Sequence, residues 1–186
     1  MTKILGISGS LRSGSLNTML LKSAAQLVPE GTRLEIGSIQ RIPLYDGDLE
    51  SSSGIPESAQ KLKAQIMDCE GLLLVTPEYN NGIPGVFKNA IDWLSRPSSD
   101  IPRVFGNRPV AVIGASPGGF GTILAQDAWL PVLRTLGTRP WFGGRLLVSR
   151  AGSVFGESGD LTDDATRTQL RKFMSGFAAF VQSTRQ

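Results

Sequence analysis

Short apolar runs alternate along this chain with longer stretches in which apolar residues recur every three or four positions. Five of the runs predict strands, at residues 3–8, 33–36, 71–76, 109–115 and 145–149. The run at 71–76 is apolar without alternation, as expected for a strand that is covered on both faces. The pattern is typical of an α/β protein, in which strands and helices take turns along the chain.

The stretches between these runs predict amphipathic helices. The clearest lies between Ile83 and Leu94, where apolar residues follow the i, i+3, i+4, i+7 spacing of one helix face. Further helices are predicted after Ser15, from Pro56, over about residues 122–136 and around residues 170–181. The segment between the second strand and Pro56, which contains Pro43, Gly47 and Gly54, is predicted to be irregular.

Five strands that alternate with helices predict a parallel sheet with helices on both faces and right-handed crossovers. We therefore predict one domain over residues 1–186, folded as a three-layer α/β sandwich with a five-stranded parallel sheet. Three polar loops, at residues 9–15, 77–82 and 116–121, each follow a strand and precede a helix. The carboxyl ends of parallel strands meet at one edge of the sheet, where open α/β sheets bind ligands, so we expect the three loops to form one site.

The first loop has the composition of a phosphate site. It supplies glycines, serine hydroxyls and Arg12, and it leads directly into a helix. N–H groups at a helix N-terminus attract an anion, and an arginine neutralises part of its charge. An ordinary strand–helix turn with a hydroxyl cap is the alternative. The loop lacks the Gly-Lys-Ser/Thr of a Walker A motif and the G-x-G-x-x-G spacing of a dinucleotide site, so a mononucleotide phosphate fits it better.

The second and third loops suit a flat heterocycle. The second loop combines Pro77, Tyr79 and Asn81-Gly82, a pair that readily adopts positive φ and exposes backbone amides. Such amides can hydrogen-bond the carbonyl and nitrogen edge of a ring that Tyr79 covers, although a hairpin-like turn is the alternative. The third loop, residues 116–121, is rich in glycine and lets the backbone approach a ring closely.

The composition limits the chemistry that the side chains can perform. The chain contains no histidine, which excludes histidine-based nucleophile pairs and imidazole metal sites, so a bound cofactor is the economical source of reactivity. The single cysteine, Cys69, excludes an internal disulfide, is expected to be buried, and makes the cytoplasm the default compartment. The 19 basic residues are scattered and no apolar run is long enough to span a bilayer. We therefore expect neither nucleic acid nor a membrane as a partner.

A phosphate socket and two walls for a flat ring, on one edge of one sheet, indicate flavin mononucleotide (FMN). The N5 atom of a flavin accepts a hydride and passes on one or two electrons. For this reason we assign neither a catalytic side chain nor a metal.

At these loops the chain resembles the NADPH-dependent FMN reductase family, the flavodoxin-like group that includes bacterial quinone, chromate and azo-compound reductases. Residues 9–17, GSLRSGSLN, are similar to the phosphate loop of that family. TPEYN at 76–80, followed by IPG at 83–85 and KNAIDWL at 88–94, is similar to its flavin-edge signature. The likeness extends in order and spacing over about residues 3–145 and implies a flavodoxin-like fold.

The resemblance also implies site residues and an oligomer. The implied phosphate contacts are Ser10, Arg12, Ser15 and Asn17, and the implied ring contacts are Pro77, Glu78, Tyr79, Asn80, Gly82, Ser116, Gly118 and Gly119. Members of the family commonly form dimers or tetramers with FMN near the interface, so a homodimer or homotetramer is expected. Lys88 and Asp92 have the spacing of an i,i+4 ion pair, with an inter-subunit role as the alternative. The chain departs from close relatives at residues 127–131, DAWLP, where they tend to carry a histidine–arginine pair.

The activity implied is transfer of a hydride or electrons from NADPH or NADH, through FMN, to a small acceptor such as a quinone, free flavin, azo compound, chromate or ferric complex. Donor and acceptor would occupy the same space in turn. A flavodoxin-like electron carrier or flavin-binding sensor is the alternative, disfavoured by the net charge of +3 because electron-transfer flavodoxins are usually strongly acidic. A phosphate hydrolase would need a base or metal carboxylates, for which Asp46, Asp48 and Glu50 are the only dense acidic group near the site.

Overall fold

A parallel sheet organises the chain. In this computed structural model, which describes residues 1–184, the strands are β1 (Thr2–Ser8), β2 (Thr32–Gly37), β3 (Gly71–Val75), β4 (Pro109–Ala115) and the two-residue strands β5 (Arg139–Pro140) and β6 (Leu147–Val148). Their order is β2-β1-β3-β4, with β5 and β6 both paired to the outer side of β4, and every pairing is parallel. The order reverses between β1 and β3, which places a topological switch point at the carboxyl ends of these two strands.

Helices cover both faces of the sheet. They are α1 (Leu16–Gln26), α2 (Gly47–Ser53), α3 (Glu57–Met67), α4 (Gly85–Leu94), α5 (Ile101–Val104), α6 (Ile123–Thr135) and α7 (Asp164–Ser183). Buried residues of α1 and α7 form one apolar cluster, and those of α3, α4 and α6 form a second. Strand β3 divides between them, because Leu73 joins the first cluster while Leu72 and Leu74 join the second. None of the described helices is long and apolar enough to cross a membrane.

The three-layer α/β class is confirmed, and the fifth strand position is divided in two. The predicted strand at 145–149 contains β6, which pairs with the end of β4, whereas β5 pairs with the beginning of β4. After the Trp141 N–H donates to the Val110 carbonyl at 2.8 Å, residues 142–146 leave the sheet. Trp141 packs edge-on against Phe173 of α7, with ring centroids 4.9 Å apart. Gly143 lies so close to the Trp141 ring that a Cβ there would come within 2.5 Å of its Nε1 atom. The segment therefore folds around an indole ring instead of continuing the ladder.

The segment that we predicted to be irregular contains the short helix α2. Asp46 is its N-cap, and the side chain accepts a hydrogen bond from the Asp48 N–H at 2.9 Å. Gly54 ends the helix with a φ of 76°. Both residues are ordinary signals for the ends of a helix. The segment has no apolar stripe, however, so the spacing of apolar residues did not predict α2. Cys69 is buried, as predicted.

Candidate functional site

The three polar loops meet at the carboxyl edge of the sheet. A cleft of about 70 Å³ there is lined by Ser10, Arg12, Ser15, Leu16, Asn17, Pro77, Glu78, Tyr79, Ala115, Ser116 and Pro117. It brings together most of the residues that the sequence analysis selected, from positions more than 100 apart in the chain. The other four selected residues, Asn80, Gly82, Gly118 and Gly119, belong to the same loops but do not line this cleft.

The first loop is held close to the sheet and to α4. The N–H of Gly9 donates to the carbonyl of Val75 at 2.9 Å, which ties the loop to the end of β3. A Cβ at Gly9 would lie 2.1 Å from the Phe87 ring, so only glycine allows this approach. The buried Ser15 is the N-cap of α1, and its hydroxyl accepts from the Thr18 N–H at 3.3 Å.

Arg12 leaves an exposed positive charge beside the start of α1. Its backbone N–H donates to the Ser10 hydroxyl at 3.3 Å, which shapes the loop. Its guanidinium forms no ion pair or hydrogen bond with the rest of the described chain. The first N–H groups of a helix also carry partial positive charge. The chemistry of this end of the cleft therefore suits an anion.

Asn17 connects the first loop to the third. Its Nδ2 donates to the Ala115 carbonyl and its Oδ1 accepts from the Ala115 N–H, both at 2.9 Å. The side chain is buried and pairs with both main-chain groups of a residue at the end of β4. The second Nδ2 hydrogen has no partner within the described residues, and the bridge to β4 is a structural role that the sequence did not reveal.

The second loop is a tight turn. Tyr79 and Gly82 form an antiparallel bridge in which each N–H donates to the other's carbonyl at 3.1 Å. Asn80 and Asn81 hold positive φ of 50° and 62°, as in a two-residue type I′ turn. The hairpin-like alternative therefore describes the backbone, and the positive φ lies one residue earlier than we predicted. The Gly82 N–H is engaged within the turn and is not exposed for a ring edge.

Glu78 caps the N-terminus of α6, a role that the sequence analysis did not predict. One carboxylate oxygen, Oε2, accepts from the N–H groups of Leu124 and Ala125 at 2.8 and 2.9 Å. The N-cap residue of α6, Thr122, makes no side-chain capping bond, so the half-buried Glu78 replaces it from another loop. A carboxylate also complements the positive end of the helix. Glu78 thus fixes the second loop relative to the third.

The third loop is supported by residues further along the chain. Its first residue, Ser116, accepts from the Gly118 N–H through its hydroxyl at 3.1 Å, and its carbonyl accepts from the Ala151 N–H at 3.0 Å. A Cβ at Gly119 would meet no atom within 4 Å, so that glycine leaves open space above the backbone. The glycine that the fold requires is Gly121, with a φ of +63° and a Cβ position 3.0 Å from the Leu147 side chain.

Two of the three acidic residues that the sequence analysis singled out, Asp46 and Glu50, make structural contacts. Asp46 caps α2, and Glu50 accepts from Arg96 Nε and from the Tyr45 hydroxyl, each at 2.9 Å. The Arg96 hydrogen bond, with help from Tyr45, lowers the pKa of Glu50. Nowhere in residues 1–184 do three or more Asp, Glu, Cys or His side chains converge as metal ligands.

Residues 88–94, the last part of the segment that resembles the flavin-edge signature, lie in α4. Lys88 and Asp92 form the ion pair that their spacing allows, with Nζ and Oδ1 2.7 Å apart. Asn89 and Trp93, on the same helix, both donate to the Pro43 carbonyl, at 2.8 and 2.9 Å. These bonds fasten the segment before α2 onto α4.

Known proteins with similar sequences and structures are named as FMN reductases, quinone reductases and a flavoenzyme. The chain is 40% identical over 183 residues to an NAD(P)H-dependent FMN reductase of Pseudomonas aeruginosa, covering 98% of this chain and 97% of that protein. It is 38% identical to a 2-hydroxy-1,4-benzoquinone reductase of a Burkholderia species, covering 98% of each. Among solved structures, FerB of Paracoccus denitrificans, a flavoenzyme NAD(P)H:acceptor oxidoreductase, superposes with a TM-score of 0.87 at 32% identity over 98% of each chain. The model of the family described as NADPH-dependent FMN reductase matches residues 2–153. The chain, with its three loops at the carboxyl edge of a flavodoxin-like sheet, therefore belongs to the NADPH-dependent FMN reductase family.

Proposed function

We propose that this protein is an FMN-dependent oxidoreductase that takes a hydride from NADPH or NADH and reduces a small acceptor, with a quinone as the best-supported class. The observation that carries the proposal is the cleft at the carboxyl edge, where an unpaired arginine, serine hydroxyls and a helix N-terminus converge. The names of its relatives, which include an NAD(P)H-dependent FMN reductase and a benzoquinone reductase, support the same class of reaction.

The phosphate of FMN fits the residues of the first loop. Arg12 supplies a full positive charge, Ser10 a hydroxyl, and the start of α1 its N–H groups. A phosphate monoester has three acceptor oxygens and up to two negative charges, which this donor set satisfies. Asn17 holds the socket in place through its bridge to β4.

The flavin ring fits the open rim formed by the second and third loops. The cleft of about 70 Å³ is far smaller than the roughly 300 Å³ of pockets that enclose whole small molecules, so only the phosphate end is enclosed. Pro77 and Tyr79 would form one wall for the ring, and Gly118 and Gly119 the other. When bound, FMN supplies the atom that accepts the hydride and the electrons that reach the acceptor. The side chains bind and orient the reactants, which is consistent with a chain that has no histidine.

We further propose that the protein works as a homodimer or homotetramer in the cytoplasm. Large apolar side chains are exposed around the rim, with Leu11 at 48%, Tyr79 at 47% and Phe120 at 83% of their free surface. A second copy that covers this rim would shield the ring from water. Sedimentation velocity of the FMN-loaded protein measures the assembly, and a monomer at micromolar concentration would contradict this part of the proposal.

The test combines a spectrum with turnover. The purified protein, supplied with FMN and desalted, is expected to keep flavin absorption bands and to oxidise NADPH continuously when 1,4-benzoquinone is present. Arg12→Ala should weaken FMN binding about 10- to 100-fold, because a charge-assisted hydrogen bond contributes about 1.5–3 kcal/mol. Arg171→Ala, which removes an exposed arginine from α7, is the matched control.

Two results would contradict the assignment in different ways. A folded protein that binds no FMN would exclude a flavoenzyme. A protein that binds FMN and is reduced once by NADPH, without continuous turnover on any acceptor, would instead be an electron carrier or a sensor.

A further inference from the structure

The interruption of the fifth strand position opens a second cavity. It shares no lining residue with the cleft at the carboxyl edge that we propose binds FMN, here called the flavin cleft. The second cavity has a volume of about 320 Å³ and lies between α6, the outer strand β4 and the segment that leaves the sheet. Its lining includes Val112, Asp127, Leu130, Trp141, Phe142 and Arg145. A volume near 300 Å³ is at the lower end of the range found for small-molecule sites.

The edge of β4 offers a main-chain donor and acceptor at this gap. The Ile113 carbonyl accepts from Thr76 on the β3 side, so the N–H and C=O of its neighbour Val112 face the fifth strand position. The parallel ladder stops at Val110, where Pro140 is the partner, and resumes at Gly114. The main chain of Val112 therefore pairs with neither β5 nor β6. A ligand with an amide-like edge can supply both missing hydrogen bonds.

The walls of the cavity are apolar and aromatic, and its rim carries one charge of each sign. Leu130 of α6 is 38% exposed and Phe142 is 75% exposed, although both line a cavity. Within residues 1–184, neither the Asp127 carboxylate nor the Arg145 guanidinium takes part in an ion pair or side-chain hydrogen bond. The guanidinium suits a carboxylate, and the Asp127 carboxylate suits an N–H donor.

We propose that this cavity is a binding site for a flat aromatic carboxylate that carries a carboxamide or lactam group. The ring occupies the apolar space beside Trp141 and Phe142. The amide edge pairs with the main chain of Val112, and the carboxylate pairs with Arg145. This assignment is independent of the reaction proposed for the flavin cleft, since the two sites use different residues.

The probe that tests the proposal is 4-carbamoylbenzoate, added to the FMN-loaded protein labelled with ¹⁵N. NMR spectra are expected to show saturable shifts of the Val112 amide and the Trp141 indole N–H. Arg145→Gln should raise the dissociation constant about tenfold, which corresponds to about 1.4 kcal/mol. Arg171→Gln should leave it unchanged. Benzoate, which lacks the carboxamide, and benzamide, which lacks the carboxylate, should each bind more weakly than the probe.

Three outcomes would overturn the proposal. The first is the absence of saturable shifts up to the solubility limit of the probe. The second is a set of shifts centred on Ser10 and Arg12, which would place the probe in the flavin cleft. The third is occupation of the cavity by a second copy of the chain. In that case Phe142→Ser would dissociate an oligomer, and only the dissociated protein would bind the probe.

Discussion

Replacement of Glu78 by alanine tests whether the second and third loops are fixed to each other as the structure indicates. The substitution removes the single oxygen that accepts from the N–H groups of Leu124 and Ala125. These N–H groups belong to the first turn of α6 and therefore have no partner inside the helix. The expected result is a less stable protein whose two ring-facing loops separate more easily.

The magnitude follows from the two bonds and their surroundings. Loss of a helix N-cap costs about 0.5–2 kcal/mol, and a negative charge at a helix N-terminus contributes about 0.3–1 kcal/mol. Because the bond to Leu124 is exposed, we take the free energy of unfolding to fall by about 1–2 kcal/mol. For a chain of this length that lowers the Tm by about 2–8 °C.

Urea unfolding of the FMN-free protein measures this change without the contribution of a bound cofactor. Glu78→Gln is the informative companion, because one amide oxygen can accept both N–H bonds while the charge is lost. It should therefore lose less than half as much stability as the alanine variant. Glu57→Ala removes a glutamate from the first turn of α3 whose side chain forms no hydrogen bond within residues 1–184, and it is expected to cost only a few tenths of a kcal/mol.

The reasoning would be refuted by a Glu78→Ala protein as stable as the wild type. If the glutamine and alanine variants were equally destabilised, the charge and not the hydrogen bonds would be the stabilising feature. The same variants report on the cofactor: Glu78→Ala should lower the affinity for FMN, while Glu78→Gln should retain most of it, as measured by fluorescence titration.

Three further predictions follow from the site and its supports. Asn17→Ala leaves the N–H and C=O at the end of β4 without partners and should cost about 1–3 kcal/mol in urea unfolding. Gly121→Ala forces a side chain onto a φ of +63° and should cost about 1–2 kcal/mol, whereas Gly119→Ala, in open space, should change the free energy of unfolding by less than about 0.5 kcal/mol. The Arg96 hydrogen bond lowers the pKa of Glu50 below its ordinary value of 4.5. The ion pair between Glu50 and Arg96 therefore stabilises the fold above pH 4.5, and this contribution is lost as the pH falls through the lowered pKa of Glu50. Arg96→Ala should flatten this part of the stability–pH curve between pH 7 and 3, and an unchanged slope would contradict the assignment.

The sequence determined the class of the fold and the place of the candidate site. Apolar spacing identified the four main strands and the helices that pack on the sheet, because burial on one or both faces imposes a short-range period that can be read locally. The order of strands and helices then required the three polar loops to meet at one edge. The motif at residues 9–17 and the TPEYN motif were sufficient to indicate the family.

The tertiary structure alone decided how those loops are held. Asn17 and Ala115 are 98 positions apart, and Glu78 and Leu124 are 46 apart, so nothing near either residue in the chain reveals its partner. The division of the fifth strand position is likewise hidden, because a two-residue strand has no period and its pairing depends on where Trp141 packs. Local patterns record which side of an element is buried. Hydrogen bonds between distant loops depend on the distances that the packed sheet sets, and these exist only once the chain has folded.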